Sequence, residues 1–242
     1  MSSIVKKLMA NEKVRKCILG AMALSIVYFS LPALRPSNGY IRNRVVKLVS
    51  DQGSCSGQQV VAASGMDYIL TAAHCKPLQI EGSIMVKTDD GRSMYRRIIA
   101  EDETSDLLLL EGIPNLNGLA VASASFAQQH VRTFTHGRGF DTYETQGELI
   151  QDYLVNVFLG MNQPCPKAPK FKVESVETIF GPMSACLLSV QETVTTAMIV
   201  PGSSGGAAVN DAGELVGVVS AGDGHFGFLV RIQDIKKFLR NY

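Results

Sequence analysis

Several features are missing from this chain of 242 residues. It has no tryptophan, and charged residues make up 19% of it, with a net charge of +1. A chain with so small a net charge lacks the basic surface that nucleic-acid-binding proteins need, so we expect no nucleic-acid partner. The closely spaced cysteine pairs of zinc sites are also absent, and we expect neither a metal nor another cofactor.

Glycine and apolar residues are plentiful. The 22 glycines, together with a hydrophobic content of 46%, indicate a folded chain with many tight turns. Short apolar runs alternate with turn residues from residue 44 onward, which is typical of an all-β fold. The predicted strands comprise Arg44–Ser50, Gln59–Ala63, Tyr68–Leu70, Ile84–Lys87, Tyr95–Ala100, Leu107–Leu110, Val131–Thr135, Gln146–Gln151, Tyr153–Leu159, Ala185–Val190, Ala207–Val209, Leu215–Ser220 and Phe226–Val230.

The N-terminal region differs from the rest. Five basic residues and one acid precede Cys17–Leu34, an apolar run of 18 residues without a charge. Such a run is just long enough to cross a bilayer as a helix, and basic residues on its N-terminal side favour export of the residues C-terminal to it. We assign residues 1–39 to a basic region plus a signal anchor, with a cleaved signal peptide as the alternative.

The remaining residues, 40–242, divide into two β-rich halves. The turn-rich stretch 112–118 separates a first half of about residues 40–115 from a second half of about residues 119–230. Residues 231–241 carry apolar side chains on one helical stripe, which predicts a C-terminal helix. The proline-rich stretch Asn162–Lys172 is predicted to be an exposed loop.

Three short motifs contain candidate catalytic residues. In TAAHC, small residues follow an apolar strand and present His74, a natural general base. In SDLLLL, Asp106 immediately precedes an apolar strand, where a buried carboxylate needs a partner such as the imidazole of His74. Asp102 is the rival candidate for this acid, but it lies in the acidic stretch EDE, which is typical of a solvated surface. In GSSGGA, glycines frame Ser204 and allow backbone N–H groups to converge on one point.

Together the three motifs, in the order His, Asp, Ser, resemble those of the trypsin-like (chymotrypsin-fold) serine proteases of bacterial or viral type. The resemblance implies two six-stranded antiparallel β-barrels with a cleft between them, and a protein or peptide substrate. It implies that His74 is the general base, that Asp106 orients it, and that Ser204 attacks. The amides of Gly202 and Ser204 would form the oxyanion hole.

The sequence departs from trypsin at two positions. Ser203 precedes the nucleophile where the digestive enzymes have aspartate, so their activation switch is not expected. Met198 stands where trypsin has its specificity aspartate, so a basic residue is not expected at P1, the substrate residue before the scissile bond. The segment Ser220, Ala221 and Gly222 would pair with the substrate backbone.

Four cysteines lie outside the apolar run. We expect two disulfides, and a pairing of Cys55 with Cys75 and of Cys165 with Cys186 keeps each within one half, although two other pairings are possible. Disulfides fit an exported domain, either anchored to the membrane through the N-terminal segment or secreted. Two further functions stay open: a protease that acts only in cis during maturation, and a non-catalytic binding module on the same fold.

Overall fold

The first half of the chain folds into a closed β-barrel. A computed structural model describes residues 36–139, 141–161, 171–178 and 181–242. After a short helix, α1 (Asn38–Arg42), six antiparallel strands close in the order β1-β2-β3-β6-β5-β4. They are β1 (Val45–Ser50), β2 (Gly53–Val61), β3 (Asp67–Thr71), β4 (Ser83–Lys87), β5 (Ser93–Asp102) and β6 (Leu107–Glu111).

The four leucines of β6 show why a continuous apolar run forms a strand here. Successive side chains of a strand point to opposite faces. Leu108 and Leu110 join one hydrophobic cluster with Leu48 and Ile84, whereas Leu107 and Leu109 join another. Because both faces of β6 are buried, the strand needs no polar residue.

The second half forms another antiparallel barrel. Its strands are β7 (His130–Thr135), β8 (Tyr143–Met161), β9 (Phe171–Thr178), β10 (Gly181–Thr195), β11 (Ala207–Val209), β12 (Leu215–Gly222) and β13 (Gly227–Arg231). The order is β13-β12-β11-β7-β8-β10-β9, and pairing of β13 with β10 closes a six-stranded barrel. The strand β9 pairs with β10 alone and lies outside that closure. The prediction of two six-stranded antiparallel barrels is confirmed.

The two barrels and the C-terminal helix share a hydrophobic core. The helix α2 (Ile232–Leu239) buries Ile235 and Phe238 in a cluster that also contains Leu70 of β3 and Phe134 of β7. The predicted C-terminal helix is therefore present, and it packs where the two barrels meet.

Some local predictions were wrong. The two strands predicted at Gln146–Gln151 and Tyr153–Leu159 are one strand of 19 residues, β8. Phe171 and Lys172 begin β9 rather than ending a loop. The long strands β8 and β10 continue beyond the barrel, where they and β9 form a three-stranded extension. The remainder of the predicted loop, residues 162–170, lies outside the described residues.

The N-terminal apolar segment Cys17–Leu34 also lies outside the described residues. Within the part of the chain that the structure describes, no helix has the length and apolar content that crossing a membrane requires.

Candidate active site

The three residues of the candidate triad come from both barrels. His74 lies in a 3₁₀ helix, Ala73–Leu78, directly after β3, and Asp106 precedes β6. Ser204 lies in the loop between β10 and β11. The N–H of Ser56, on β2, donates to the carbonyl oxygen of Ser204 at 2.7 Å, which ties the serine loop of the second barrel to the first.

Asp106 accepts hydrogen bonds from two donors of His74, the ring Nδ1 and the backbone N–H. The carboxylate oxygen Oδ2 lies 2.8 Å from Nδ1 of His74, and Oδ1 accepts the backbone N–H of His74 at 2.9 Å. The acid is 8% exposed. These bonds fix both the ring and the main chain of the histidine, and they leave Nε2 as the ring nitrogen that faces away from the carboxylate.

A third donor to Asp106 was not anticipated from the sequence. The hydroxyl of Ser220, on β12, donates to Oδ2 of Asp106 at 3.1 Å. The register of β12 with β13 shifts between Val219 and Ala221, on either side of Ser220. The irregular strand thus supplies a hydroxyl to the acid, in addition to the main-chain role that the resemblance implies for Ser220. The rival Asp102 instead accepts N–H groups of Thr104 and Ser105 in its own turn.

The pKa of His74 is raised above its usual value. Burial by itself favours the neutral ring, but the hydrogen bond and negative charge of Asp106, aided by the charge of Glu192, outweigh burial and raise the pKa of His74. The side chain of His74 nevertheless keeps 41% of its surface exposed. A histidine that is exposed on one edge and held on the other can exchange a proton with a bound molecule.

The hydroxyl of Ser204 is directed at the main chain of β12. It donates to the carbonyl oxygen of Ser220 at 3.0 Å, and within the described residues it has no hydrogen bond to His74. The Ser204 hydroxyl therefore has to leave the Ser220 carbonyl before it can bond to the imidazole. The acceptor it occupies, the Ser220 carbonyl, belongs to the segment expected to bind a peptide backbone.

Two peptide groups before Ser204 are held in fixed orientations. The carbonyl oxygen of Pro201 accepts the N–H of Arg138 at 2.6 Å, and that of Gly202 accepts the hydroxyl of Ser56 at 3.0 Å. Since a trans peptide directs its C=O and N–H to opposite sides, the first of these bonds turns the N–H of Gly202 away from Arg138. Within the described residues, the N–H groups of Gly202 and Ser204 have no acceptor. They are the two donors predicted for the oxyanion hole.

Position 205 requires glycine, because of its backbone conformation and because a side chain has no room there. Its φ is 81°, and a Cβ there would lie 2.1 Å from the Thr71 hydroxyl oxygen and 2.2 Å from the Ser56 carbonyl oxygen. No other residue type fits such a position. The glycine thus allows the loop that carries Ser204 to approach the strands of the first barrel.

Ser203 is fully buried, and its partners are neutral. Its hydroxyl lies 3.1 Å from the Thr135 hydroxyl and 2.9 Å from the Tyr143 hydroxyl. These contacts stabilise the loop without a charge, so the site next to the nucleophile needs no ion pair with a chain terminus.

The residues near the expected specificity pocket differ in how far their side chains are exposed. Met198 is 63% exposed, whereas the next residue, Ile199, is 7% exposed. Gly222 and Gly227 pair across β12 and β13, and a Cβ on either would lie within 2.7 Å of an Ile199 side-chain carbon. The isoleucine side chain therefore occupies the space that the two glycines leave. Ala221 is half-buried beside them on the same strand.

The Cys55–Cys75 disulfide predicted from the sequence is present and links β2 to the helix of His74. Cys165 lies outside the described residues, and so does the side chain of Cys186, so the second pairing stays a prediction. Among the residues that the structure describes, no group of three or more His, Cys, Asp or Glu side chains is arranged to hold a metal.

Some site residues escaped the sequence analysis because their signal is not local. Ser56, Arg138 and Glu192 lie outside the three triad motifs, and their contacts with the serine loop or with Ser220 leave no local pattern in the sequence. Only a positive φ marks Arg138, at 54°, and that is not visible in a sequence. Glu192, a charged residue among β10 positions that are otherwise mostly uncharged, was the one available hint.

Comparisons with known proteins support the same fold. The family model of the trypsin-like peptidase domain matches residues 55–218. Two structures of the Rv3671c protease of Mycobacterium tuberculosis in an inactive form are each 18% identical to this chain, with the match spanning 87% of it. The match spans 92% of the first structure's own chain, with a TM-score of 0.59, and 95% of the second structure's own chain, with a TM-score of 0.60. A serine endoprotease from Yersinia pestis is 19% identical over 84% of this chain and 65% of its own, with a TM-score of 0.56. No curated protein sequence matches the chain.

Proposed function

Because the chain belongs to the trypsin-like peptidase domain family, we propose that it is a serine endopeptidase that hydrolyses peptide bonds through an acyl-enzyme on Ser204. One observation carries this proposal. Asp106 holds Nδ1 of His74 at 2.8 Å, and Ser220 bonds Asp106 through its hydroxyl and the Ser204 hydroxyl through its carbonyl oxygen, beside two N–H groups that have no acceptor among the described residues. A binding module would have no use for all of these groups together.

The mechanism is built on those contacts. The Ser204 side chain rotates from the Ser220 carbonyl to Nε2 of His74, which removes the hydroxyl proton as Oγ attacks the substrate carbonyl carbon. The carbonyl oxygen becomes an oxyanion, and the N–H groups of Gly202 and Ser204 stabilise it. Asp106 keeps the ring in the tautomer with its proton on Nδ1 and stabilises the imidazolium that forms.

The second half of the reaction reuses the same groups. The imidazolium donates its Nε2 proton to the leaving amine, which leaves the acyl group as an ester on Ser204 Oγ. Water then enters, gives a proton to Nε2 and attacks the ester carbon. Collapse of the second tetrahedral intermediate returns that proton to Ser204 and releases the carboxylic acid.

The substrate backbone would bind along β12. In this arrangement the Ser220 carbonyl, released by rotation of Ser204, accepts the N–H of the P1 residue, and Gly222 extends the strand pairing. Formation of the Michaelis complex and freeing of the nucleophile are thereby coupled, since one acceptor serves both.

We also propose that P1 is small and apolar. Among the described residues, the side chain that fills the space beside both Gly222 and Gly227 is the uncharged Ile199, which would not attract lysine or arginine. Met198, being exposed, is placed to contact a neighbouring substrate residue rather than to form the pocket floor.

The location of the enzyme is a further part of the proposal. The apolar run before the barrels and the Cys55–Cys75 disulfide support a domain that works in an oxidising compartment outside the cytoplasm, attached to the membrane or released from it. Fractionation of cells after alkaline carbonate extraction would test the attachment; recovery of the chain in the soluble cytoplasmic fraction would contradict it.

Digestion of a peptide library by the full-length chain tests the activity. We expect cleavage by the wild type, a loss in kcat of at least about 10³-fold in Ser204→Ala, and no change in Ser64→Ala, a control at an exposed turn serine. Cleavage of the chain itself beside an intact library would favour the alternative of a cis-acting maturation protease. Equal activity of the wild type and Ser204→Ala would contradict the proposal.

A further inference from the structure

Glu192 is a buried acid for which the triad mechanism has no role. It lies on β10, opposite Tyr153 of β8 and Val230 of β13. It is 2% exposed, and within the described residues neither carboxylate oxygen has a partner with hydrogen-bonding geometry. An ionised carboxylate in such a place is strongly unfavourable, so the position favours the neutral acid.

The polar groups that face Glu192 belong to the catalytic centre. The Ser220 hydroxyl lowers the pKa of the acid as a hydrogen-bond donor would, although the two side chains do not meet full hydrogen-bonding geometry here, and the charges of Asp106 and His74 act on the acid as well. Ser220 Oγ lies 3.1 Å from Asp106 Oδ2, so one hydroxyl stands between two carboxyl groups.

Other charged groups on the strands packed against Glu192 have partners of their own. On β8, Asp152 accepts the hydroxyl of Thr193, the neighbour of Glu192. On β13, Arg231 donates to Asp234 at 2.7 Å. The remaining register neighbours are the Tyr153 phenol and the apolar Val230. The charge state of Glu192 is therefore set by its burial and by the triad.

Burial, aided by the negative charge of Asp106, outweighs the Ser220 hydroxyl and the charge of His74, which act in the opposite direction, and raises the pKa of Glu192 to about 7. Conversely, the Glu192 charge is one of the causes that raise the pKa of His74. The protonation of each group thus influences that of the other.

We propose that Glu192 is a positioning residue of the catalytic centre: the neutral acid donates a hydrogen bond to Ser220 Oγ, and the Ser220 hydroxyl in turn donates to Asp106. A single hydroxyl proton cannot serve two carboxylates. When Glu192 ionises, it becomes an acceptor that competes with Asp106 for this proton, and its negative charge holds a proton on His74. Both effects lower the reactivity of Ser204. The inference rests on the proposed function, since Asp106 and His74 are its catalytic pair.

The test compares Glu192→Gln with the wild type across pH, in the full-length chain. Glutamine keeps a donor toward Ser220 and cannot ionise. We expect kcat/KM of the variant to equal that of the wild type at pH 6 and to exceed it by roughly 2- to 10-fold at pH 8, the range that one hydrogen bond provides. Glu192→Leu, which removes the donor, should lower kcat/KM at pH 6 instead. A ratio of Glu192→Gln to wild type that stays constant from pH 6 to 9 would overturn the proposal.

A second measurement does not depend on activity or on the folding of a variant. With glutamate side chains labelled with carbon-13, the native wild-type chain should show one carboxyl resonance that titrates near neutral pH. If all glutamates titrate below about pH 5.5, close to their usual values, Glu192 does not have the proposed role. A chain without protease activity would refute the proposed function and leave this titration readable.

Discussion

At the scale of single residues, Asp106 is the most constrained group of the site. It accepts from the ring and the main chain of His74 and from the hydroxyl of Ser220, and its own backbone has a φ of 54°, a left-handed conformation that aspartate tolerates better than most residues. Three donors on a buried carboxylate fix its position. The imidazole is therefore oriented before substrate arrives, and the reaction needs little reorganisation of it.

The raised pKa of His74 predicts a pH profile. Catalysis needs the neutral ring, so kcat/KM should fall as the pH drops through a midpoint above 6.5, the usual value for histidine. Asp106→Asn removes the negative charge and hydrogen bond that raise this pKa. We expect a lower midpoint and a rate loss on the order of 10⁴-fold, the size known for this change in the family. An unchanged midpoint in Asp106→Asn, measured with the same peptide, would contradict the assigned role of the acid.

Ile199 offers a test of specificity at the same scale. Ile199→Ala removes carbons that lie between Gly222 and Gly227, which deepens the pocket. For peptides that differ only at P1, we expect kcat/KM to shift toward leucine or phenylalanine over alanine by roughly 10-fold or more, since each added buried methylene contributes about 0.8 kcal/mol. Met198→Ala, a change at an exposed neighbour, is the control and should leave the P1 preference unaltered. A Met198 effect larger than that of Ile199 would contradict the account of the pocket.

At the scale of elements, the loop 200–206 depends on contacts from segments that are distant in sequence. Ser56 of β2 contributes its N–H to Ser204 and its hydroxyl to Gly202, while Arg138 holds Pro201. The N–H of His136 donates to the same Ser56 hydroxyl at 2.8 Å. The main-chain groups predicted to form the oxyanion hole thus have their directions set from both barrels.

Alanine substitutions at two glycines with similar φ values separate the effect of steric crowding from the effect of backbone conformation. Gly205 and Gly224 have φ values of 81° and 92°, but a Cβ would collide at Gly205 and meet nothing within 4 Å at Gly224. Gly224→Ala should cost about 1 kcal/mol of unfolding free energy and keep its activity. Gly205→Ala should lower kcat/KM by at least about 10²-fold, as expected when an oxyanion donor is lost. Urea unfolding measures the stability of both variants, and peptide hydrolysis measures their kcat/KM. Equal losses of kcat/KM in the two variants would contradict the role assigned to Gly205.

The sequence predicts the elements whose pattern is local. The β6 leucines form a continuous apolar run and the residues of α2 carry an apolar stripe, and both elements are present. The division of β8 into two strands was wrong because Asp152, the one residue between the two predicted strands, is exposed but still pairs with Thr193 of β10. The strand β9 could not be predicted from its own residues, since pairing with β10 defines it.

At the scale of the whole molecule, the site exists only when both barrels are formed. His74 and Asp106 belong to the first barrel, and Ser204, Ser220 and Glu192 belong to the second. The motifs around His74, Asp106 and Ser204 could be recognised in the sequence because they combine small residues, an apolar strand and glycines. The supporting contacts of Ser220 and Glu192 join strands of one barrel to an acid of the other, and no local pattern records such a contact.

The measurement that tests the central claim most directly is labelling of the full-length chain with a fluorophosphonate, with the modified residue located by mass spectrometry. An activated serine is required for the reaction, so we predict one label, on Ser204, that is absent in Ser204→Ala and strongly reduced in His74→Ala. The neighbouring Ser203, buried between Thr135 and Tyr143, lies in the same fragment and serves as an internal control. A label on Ser203, or labelling that persists in Ser204→Ala, would contradict the assignment of Ser204 as the nucleophile.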